Sequence, residues 1–98
     1  MQSRIAIQAA RDSKRLQISY NGFVRVVEVH TVGTTTAGNE GMRVWQVRGG
    51  SQSGETAGWK MLRFDEAGPM NILDEASEAP REGYKKGDKG FNVIVFEI

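Results

Sequence analysis

The stretch "LQISYNGFVRVVEVHTVG", residues 16–33, decides the fold of this chain. From Leu16 to Tyr20 it alternates apolar and polar residues, which is typical of a strand with one buried face. An Asn-Gly pair follows at positions 21 and 22, and both residue types tolerate the positive φ angles of a type I′ turn. The sequence therefore predicts a hairpin. Its second strand is long, and the alternation slips at Val26-Val27, which predicts a bulge or a bend in a curved sheet.

A short helix is predicted before this hairpin and several strands after it. Ser3 suits a helix N-cap, and Ile5 and three alanines up to Ala10 recur at helical spacing. The apolar runs "MRVWQVR", "WKMLRFD", "MNIL" and "FNVIVFEI" predict the later strands, with "TTTAGNEG" as a turn. The segment "DEASEAPREGYKKGDKG" is polar and without periodicity, and the strand that follows it must pair back into the sheet.

These elements predict a mainly β fold with one N-terminal helix and five to six short strands, arranged as a strongly curved, mostly antiparallel sheet or barrel. No internal repeat or linker divides the chain. We therefore expect a single domain over residues 1–98, with the helix at 1–13, strands at 14–73, a polar loop at 74–90 and a closing strand at 91–98.

Composition narrows the class of protein further. The chain has 98 residues and no cysteine, which excludes a disulfide framework and a zinc-thiolate site and favours a cytoplasmic location. The first residues contain no apolar run long enough for a signal peptide or a membrane span, so no membrane partner is expected. The net charge of +1 excludes a strongly basic nucleic-acid binder on bulk charge, while a local basic patch stays open.

The stretch "RGGSQSGETAGWK", residues 48–60, raises the question of a phosphate-binding loop. A P-loop needs Gly-Lys-Ser/Thr followed by a helix, but here Trp59 precedes Lys60, no Ser/Thr follows, and a strand comes next. We therefore interpret the stretch as a hairpin tip, either merely flexible or the rim of a site. The Trp-Lys pair favours a site, because an indole beside a lysine can hold a planar anionic ligand. Ser51 and Ser53 would lie at its rim.

Lys60 shares one face of its strand with Leu62 and Phe64, so it is expected at the rim of the core. From there it can extend to solvent or point into a pocket.

Catalysis finds little support in the residues. The single histidine, His30, suits a structural role in its strand, and Glu28 with His30 makes only a pair of candidate metal ligands. Ser51 and Ser53 have no evident base. The sequence predicts a protein that is not an enzyme and needs neither cofactor nor metal.

The segment "PREGYKKGDKG" groups basic residues around one aromatic ring. It is either a solvated loop or a patch that contacts the backbone of RNA or single-stranded DNA. Arg43, Arg48 and Arg63 add positive charge in the strands, so a basic concave face is a further expectation. The candidate backbone-contacting residues are Arg81, Tyr84, Lys85, Lys86 and Lys89.

Together, "IQAARDSKRLQISYNG", "VRVVEVHTVG", "MRVWQVRGG" and "GWKMLRFDEAGPMNIL" resemble the WYL domain in its small stand-alone bacterial or phage form. The resemblance covers about residues 5–73 and rests on the order of these segments. Trp45-Gln46 falls where the family has Tyr-Leu, His30 matches its "PH-x-L-G" strand, and Lys60 takes the place of a ligand-facing arginine. Val29 replaces the proline of that strand, and no helix-turn-helix domain is present.

The resemblance implies an SH3-like or Sm-like β-barrel that senses nucleotides or nucleic-acid fragments in transcription regulation or phage defence. We accordingly predict a ligand-sensing module for a nucleotide or a short single-stranded nucleic acid. The rival prediction is a module for protein interaction, through homo-oligomerisation or a regulator partner, using the tryptophans and exposed strand edges. The candidate ligand-binding residues are His30, Arg43, Trp45, Ser51, Ser53, Trp59, Lys60 and Arg63.

Overall fold

The structure, a computed structural model, describes residues 2–98. Met1, which the predicted helix included, lies outside these residues. The elements, in chain order, are helix α1 (Gln2–Arg11), strands β1 (Lys14–Tyr20), β2 (Phe23–Thr35), β3 (Glu40–Gly49) and β4 (Gly58–Arg63), a 3-10 helix (Phe64–Glu66), and strands β5 (Ala67–Ala76) and β6 (Phe91–Glu97).

The predicted hairpin is confirmed. Tyr20 at the end of β1 pairs with Phe23 at the start of β2, and the strands run antiparallel. Asn21 and Gly22 between them have φ angles of 50° and 80°, as a type I′ turn requires.

Strand β2 is the central strand of the sheet and pairs with three others. Its first half pairs with β1, its second half pairs with β6, and β3 follows it along the other edge. Two irregularities interrupt the pairing with β3, one between Val26 and Val27 and one between Val29 and Thr31. The first lies at the predicted position, but its extra residue is Val47 of β3, because the consecutive residues Val26 and Val27 pair with Arg48 and Gln46. The second leaves His30 as an extra residue of β2, because Val29 and Thr31 pair with the consecutive residues Val44 and Arg43.

The mainly β fold with one helix and a six-strand antiparallel sheet is confirmed, but a closed barrel is not. The main path of the sheet is β4-β3-β2-β1-β5, so β4 and β5 are its two ends and do not pair with each other. Two boundaries also differ from the prediction. Strand β5 continues to Ala76 because Lys14 pairs with that residue, so the polar segment begins at position 77. Ser3, the predicted N-cap, lies inside α1.

Both faces of β2 are covered. Every residue of β2 from Arg25 to Gly33 is buried. Helix α1 packs on one face and contributes Ala6 and Ala9 to the hydrophobic core. The other face lies under residues 77–90, which we call the strap. The strap is joined to the sheet at both ends, because the Ser77 N–H donates to the Ser13 carbonyl at 2.8 Å and Thr36 N–H donates to the Gly90 carbonyl at 3.0 Å.

Gly33 sets the distance between β2 and β6. A Cβ added at this position would lie 2.0 Å from the carbonyl oxygen of Val93, on the neighbouring strand. Because the obstacle is backbone, the strands would have to separate to admit any side chain.

We expect Gly33→Ala to lower the free energy of unfolding by about 2–3 kcal/mol, measured by urea unfolding. Gly38→Ala is the comparison. A Cβ there meets open space and only the φ angle of 85° opposes it, so the cost should be about 1 kcal/mol. Equal effects of the two substitutions would contradict the close approach at Gly33.

Candidate functional site

A buried carboxylate holds the strap against the sheet. Glu28 in β2 has no exposed surface, and its side chain accepts four hydrogen bonds. Arg81 of the strap donates to it from Nε at 2.6 Å and from Nη2 at 3.2 Å, and the backbone N–H of Glu78 donates at 2.8 Å. Arg15 of β1 donates from Nε at 3.0 Å. We call Glu28, Arg15 and Arg81 the clasp.

The clasp keeps its charges in spite of burial. Burial alone favours the neutral acid at Glu28, but the hydrogen bonds from Arg81, the Glu78 backbone and Arg15 outweigh it and lower the pKa of Glu28 below its ordinary value. The same hydrogen bonds raise the pKa of Arg15 and of Arg81. All three groups are therefore charged at neutral pH, and removing one partner would leave a buried charge uncompensated.

His30 forms a second link to the strap. Its side chain is fully buried, with Nδ1 at 3.0 Å from the Glu28 carbonyl and Nε2 at 3.0 Å from the Arg81 backbone nitrogen. A carbonyl only accepts and an N–H only donates, so the proton sits on Nδ1 and Nε2 is the acceptor. Burial lowers the pKa of His30, and a second proton would remove the acceptor that holds Arg81. The single histidine is thus placed as a neutral structural residue, with both ring nitrogens engaged.

Aromatic rings continue this contact surface across the sheet. The ring centroid of Trp59 lies 4.7 Å from that of His30 and 5.4 Å from that of Trp45, both close to edge-on. The Arg81 guanidinium lies 5.6 Å from the centre of the Trp45 ring. From the strap, Tyr84 packs on His30 at 5.3 Å. Its hydroxyl donates to the carbonyl of Ile98.

Between the strap and the strands lies a cavity of about 500 Å³. Arg43 of β3 and Trp59 of β4 form its inner wall, and the strap forms the rest. Trp59 Nε1 donates to the Glu82 carbonyl at 3.2 Å, and a Cβ added at Gly83 would lie 3.0 Å from that nitrogen. The strap therefore crosses the indole closely at a glycine. The strap residues that line the cavity are Gly83, Tyr84, Lys85, Lys86, Gly87, Asp88 and Lys89.

The charge in the cavity is positive. Arg43 is neutralised by Asp88, which accepts from its Nε at 2.8 Å and from its Nη2 at 3.3 Å. Lys85, Lys86 and Lys89 form no ion pair with any residue in the described range 2–98. The cavity thus combines two aromatic side chains with three lysines whose charge the protein does not neutralise.

The predicted site residues separate into three groups, with Arg63 outside all of them. Arg43, Trp59, Tyr84 and the three strap lysines meet at the cavity, while His30 and Trp45 lie beneath the strap and contact its Arg81. Ser51, Ser53 and Lys60 meet at the tip between β3 and β4. Arg63 belongs to none of these, because its guanidinium is paired with Asp65 at 2.5 Å and lies 3.9 Å from Glu66.

Sequence reasoning missed two buried charged residues. Glu28 was considered only as a metal ligand beside His30, and Arg25, buried at the start of β2, was not considered. The signal was available in "VRVVEVH", where charged residues interrupt an apolar run. A charged residue inside such a run must be paired or must serve a site.

Comparison of the chain with known protein families, curated proteins and solved structures finds no match. The WYL resemblance therefore stays a prediction. In the range 2–98, no three histidine or acidic side chains are grouped as a metal ion would require. The described chain also contains no helix of the length and apolarity needed to cross a bilayer.

The protonation of His30 should make stability depend on pH. The pKa of His30 in the fold is below 6.5, so as the pH falls the unfolded chain binds the proton first. The free energy of unfolding should therefore decrease between about pH 7 and about pH 5, by at most about 1.4 kcal/mol per pH unit, measured by urea unfolding at each pH. His30→Gln should lose this slope, since the chain has no other histidine. An unchanged slope in that variant would assign the proton to another group.

Proposed function

We propose that this protein is a non-enzymatic binding module whose cavity takes a nucleotide or a short single-stranded nucleic acid. The observation that carries the proposal is the convergence of Trp59, Tyr84 and three unneutralised lysines on one cavity of about 500 Å³. These residues come from two stretches of sequence, the strand after the hairpin tip and the strap. The strap differs from a merely solvated loop, because the buried clasp fixes it over the Trp59 indole.

The chemistry of the cavity suits this class of ligand. Its volume lies within the range of small-molecule pockets, roughly 300–1,000 Å³. Aromatic side chains offer stacking surfaces that any base can use, and lysines act as mobile point charges toward phosphates. Arg43 is oriented by Asp88 and supplies further hydrogen-bond donors at the wall. We therefore expect the site to bind ligands with different bases, with an affinity that depends strongly on their phosphate groups.

We also propose that the protein is not an enzyme. The one histidine is buried with both nitrogens engaged, so it is not available as a general base in this structure. Ser51 and Ser53 lie at the tip and not in the cavity. A ligand-sensing role in transcription regulation or phage defence, and an SH3-like or Sm-like curvature of the sheet, rest on the resemblance to WYL domains.

Tryptophan fluorescence tests the proposal directly, because Trp59 lines the cavity. Mononucleotides, cyclic nucleotides, short RNA and short single-stranded DNA should be titrated at two salt concentrations. We expect a binding signal that weakens with salt. Lys85→Gln combined with Lys86→Gln should lower the affinity for a strand by about tenfold or more, and should reduce the salt slope by about one to two.

Lys14→Gln is the control, because Lys14 lies on β1, outside the cavity, where it is paired with Asp74 of β5. It should leave affinity and salt slope unchanged. The proposal fails if none of these ligands changes the fluorescence, or if the control weakens binding as much as the strap variant.

A second candidate function is homo-oligomerisation through β6. This strand pairs with β2 along one edge, and none of the described strands pairs with its other edge. Val93 and Val95 on it are 55% and 66% exposed. An apolar strand edge of this kind is a template for antiparallel pairing with the same strand of a second copy.

Light scattering over a range of concentrations distinguishes this candidate. Pairing through β6 predicts a dimer that becomes monomeric in Val95→Lys. Val24→Lys should not change the mass, because Val24 is similarly exposed, at 60%, but lies on β2. A monomer at every concentration would exclude the dimer.

A further inference from the structure

A buried positive charge without a carboxylate lies below the tip between β3 and β4. Arg25 of β2 is only 3% exposed, and it forms no ion pair with any residue of the described chain. Its Nη1 donates to Gln46 Oε1 at 3.4 Å and its Nη2 to the Tyr20 carbonyl at 3.3 Å. Both bonds are long, and within the described range the Nε–H has no hydrogen-bond partner. Two aromatic rings complete its surroundings, those of Tyr20 and Phe23.

Arg25 is an exception among the arginines of this protein. The four partly buried arginines, Arg15, Arg43, Arg63 and Arg81, each form an ion pair with a carboxylate at 3.0 Å or less, although all are more exposed than Arg25. Burial lowers the pKa of Arg25, whereas carboxylate partners raise the pKa of Arg15 and Arg81. A buried charge is normally compensated, and here the protein itself supplies no compensation.

Gln46 connects this arginine to the tip. It is fully buried next to Arg25, and its Nε2 donates to the carbonyls of Gly50 at 3.1 Å and Thr56 at 3.0 Å. The end of β3 that leads into the tip lies against the arginine strand, because Gly49 pairs with Arg25 and a Cβ added at Gly49 would be 2.7 Å from the Arg25 Cα. Arg25 is therefore two hydrogen bonds away from the residue that precedes Ser51.

A second cation without a carboxylate reaches the same tip. Lys60 Nζ lies 3.2 Å from Ser51 Oγ and 3.4 Å from Ser53 Oγ, and these hydroxyls are 3.0 Å from each other. No ion pair of Lys60 exists within residues 2–98. Lys60 pairs with Val44 and so shares the core face with Gln46 and Arg25, one residue on each of three neighbouring strands. Trp59, by contrast, faces the cavity under the strap.

We propose that the tip is a second anion site, in which a phosphate group is held by Lys60 and the hydroxyls of Ser51 and Ser53, with Arg25 supplying the charge beneath them. A phosphate oxygen accepts from an ammonium and from hydroxyls together, so it can replace the weak mutual contacts that these three groups now make. The buried guanidinium strengthens such binding because it acts through a medium of low dielectric constant. This site shares no residue with the cavity and does not depend on the function proposed for it.

Thermal unfolding of the full chain with inorganic phosphate or pyrophosphate, against chloride at the same ionic strength, tests the site. Phosphate that binds the folded state should raise the melting temperature in a saturable way. Lys60→Gln should weaken the apparent affinity by about tenfold, and Arg25→Met should remove the effect. The pair Lys85→Gln and Lys86→Gln should leave it intact, which separates this site from the cavity. If Arg25→Met does not fold, Lys60→Gln decides, because Lys60 is only partly buried and contacts the tip through its Nζ.

A thymidine oligonucleotide without a terminal phosphate distinguishes the two sources of the group. If inorganic phosphate stabilises the protein, the tip binds a terminal phosphate group. If only the oligonucleotide stabilises it, and Lys60→Gln abolishes this effect, the tip binds the phosphodiester of a strand. The proposal is overturned if chloride and phosphate have the same effect and the oligonucleotide has none. It is also overturned if Lys60→Gln responds to both ligands like the natural chain.

Discussion

The buried carboxylate of Glu28 is the constraint on which the rest of the structure depends. A charge in the middle of the most buried strand is tolerated only because Arg15 and Arg81 approach it from opposite directions along the chain, one from β1 and one from the strap. Removing one partner of such a group typically costs about 3–5 kcal/mol. A segment of 14 residues without helix or strand thereby becomes an integral part of the fold. The bulge at His30 adds to this, because the extra residue gives the strap a second acceptor beside the carboxylate.

The same anchoring creates the cavity. Its inner wall consists of strand residues, which the sheet holds in place, and its outer wall exists only while the strap is docked. Tyr84 links the two parts, since it contacts His30 with its ring and the chain end at Ile98 with its hydroxyl. A ligand that contacted both walls would stabilise the docked strap, and the docked strap would preorganise the lysines for that ligand. The binding that we propose would therefore be coupled to stability through one set of contacts.

The features of the fold and of the site that could be predicted from the sequence are those that depend on residues close together in the chain. The hairpin and the irregularity at Val26 depend on neighbouring residues, and both were predicted. The clasp joins Glu28 to Arg81, 53 positions later, and no local pattern identifies that partner. The extension of β5 to Ala76 was missed for a similar reason, because it depends on the pairing of Ala76 with Lys14, 62 positions earlier, across an irregular register. Trp59 and Lys60 were predicted in one site, but alternation along β4 places them on opposite faces.

The net charge of +1 hides a difference between arginines, most of which are paired with carboxylates, and lysines, most of which are not. Five arginines are paired with carboxylates, in the clasp, at Asp65, at Asp88 and at Glu75, where two guanidinium groups lower the pKa of the acid to about 2. A planar guanidinium forms several directed hydrogen bonds at once, so it suits these fixed structural contacts. Within the described residues, ion pairs with arginine engage six of the twelve acidic residues. Across the described residues only one lysine, Lys14, has a carboxylate partner, so the positive charge of the two proposed sites is carried by lysines at the strap and at the tip together with the buried Arg25. The small net charge thus conceals two local groups of cations, at the strap and at the tip, that have no carboxylate partner among the described residues.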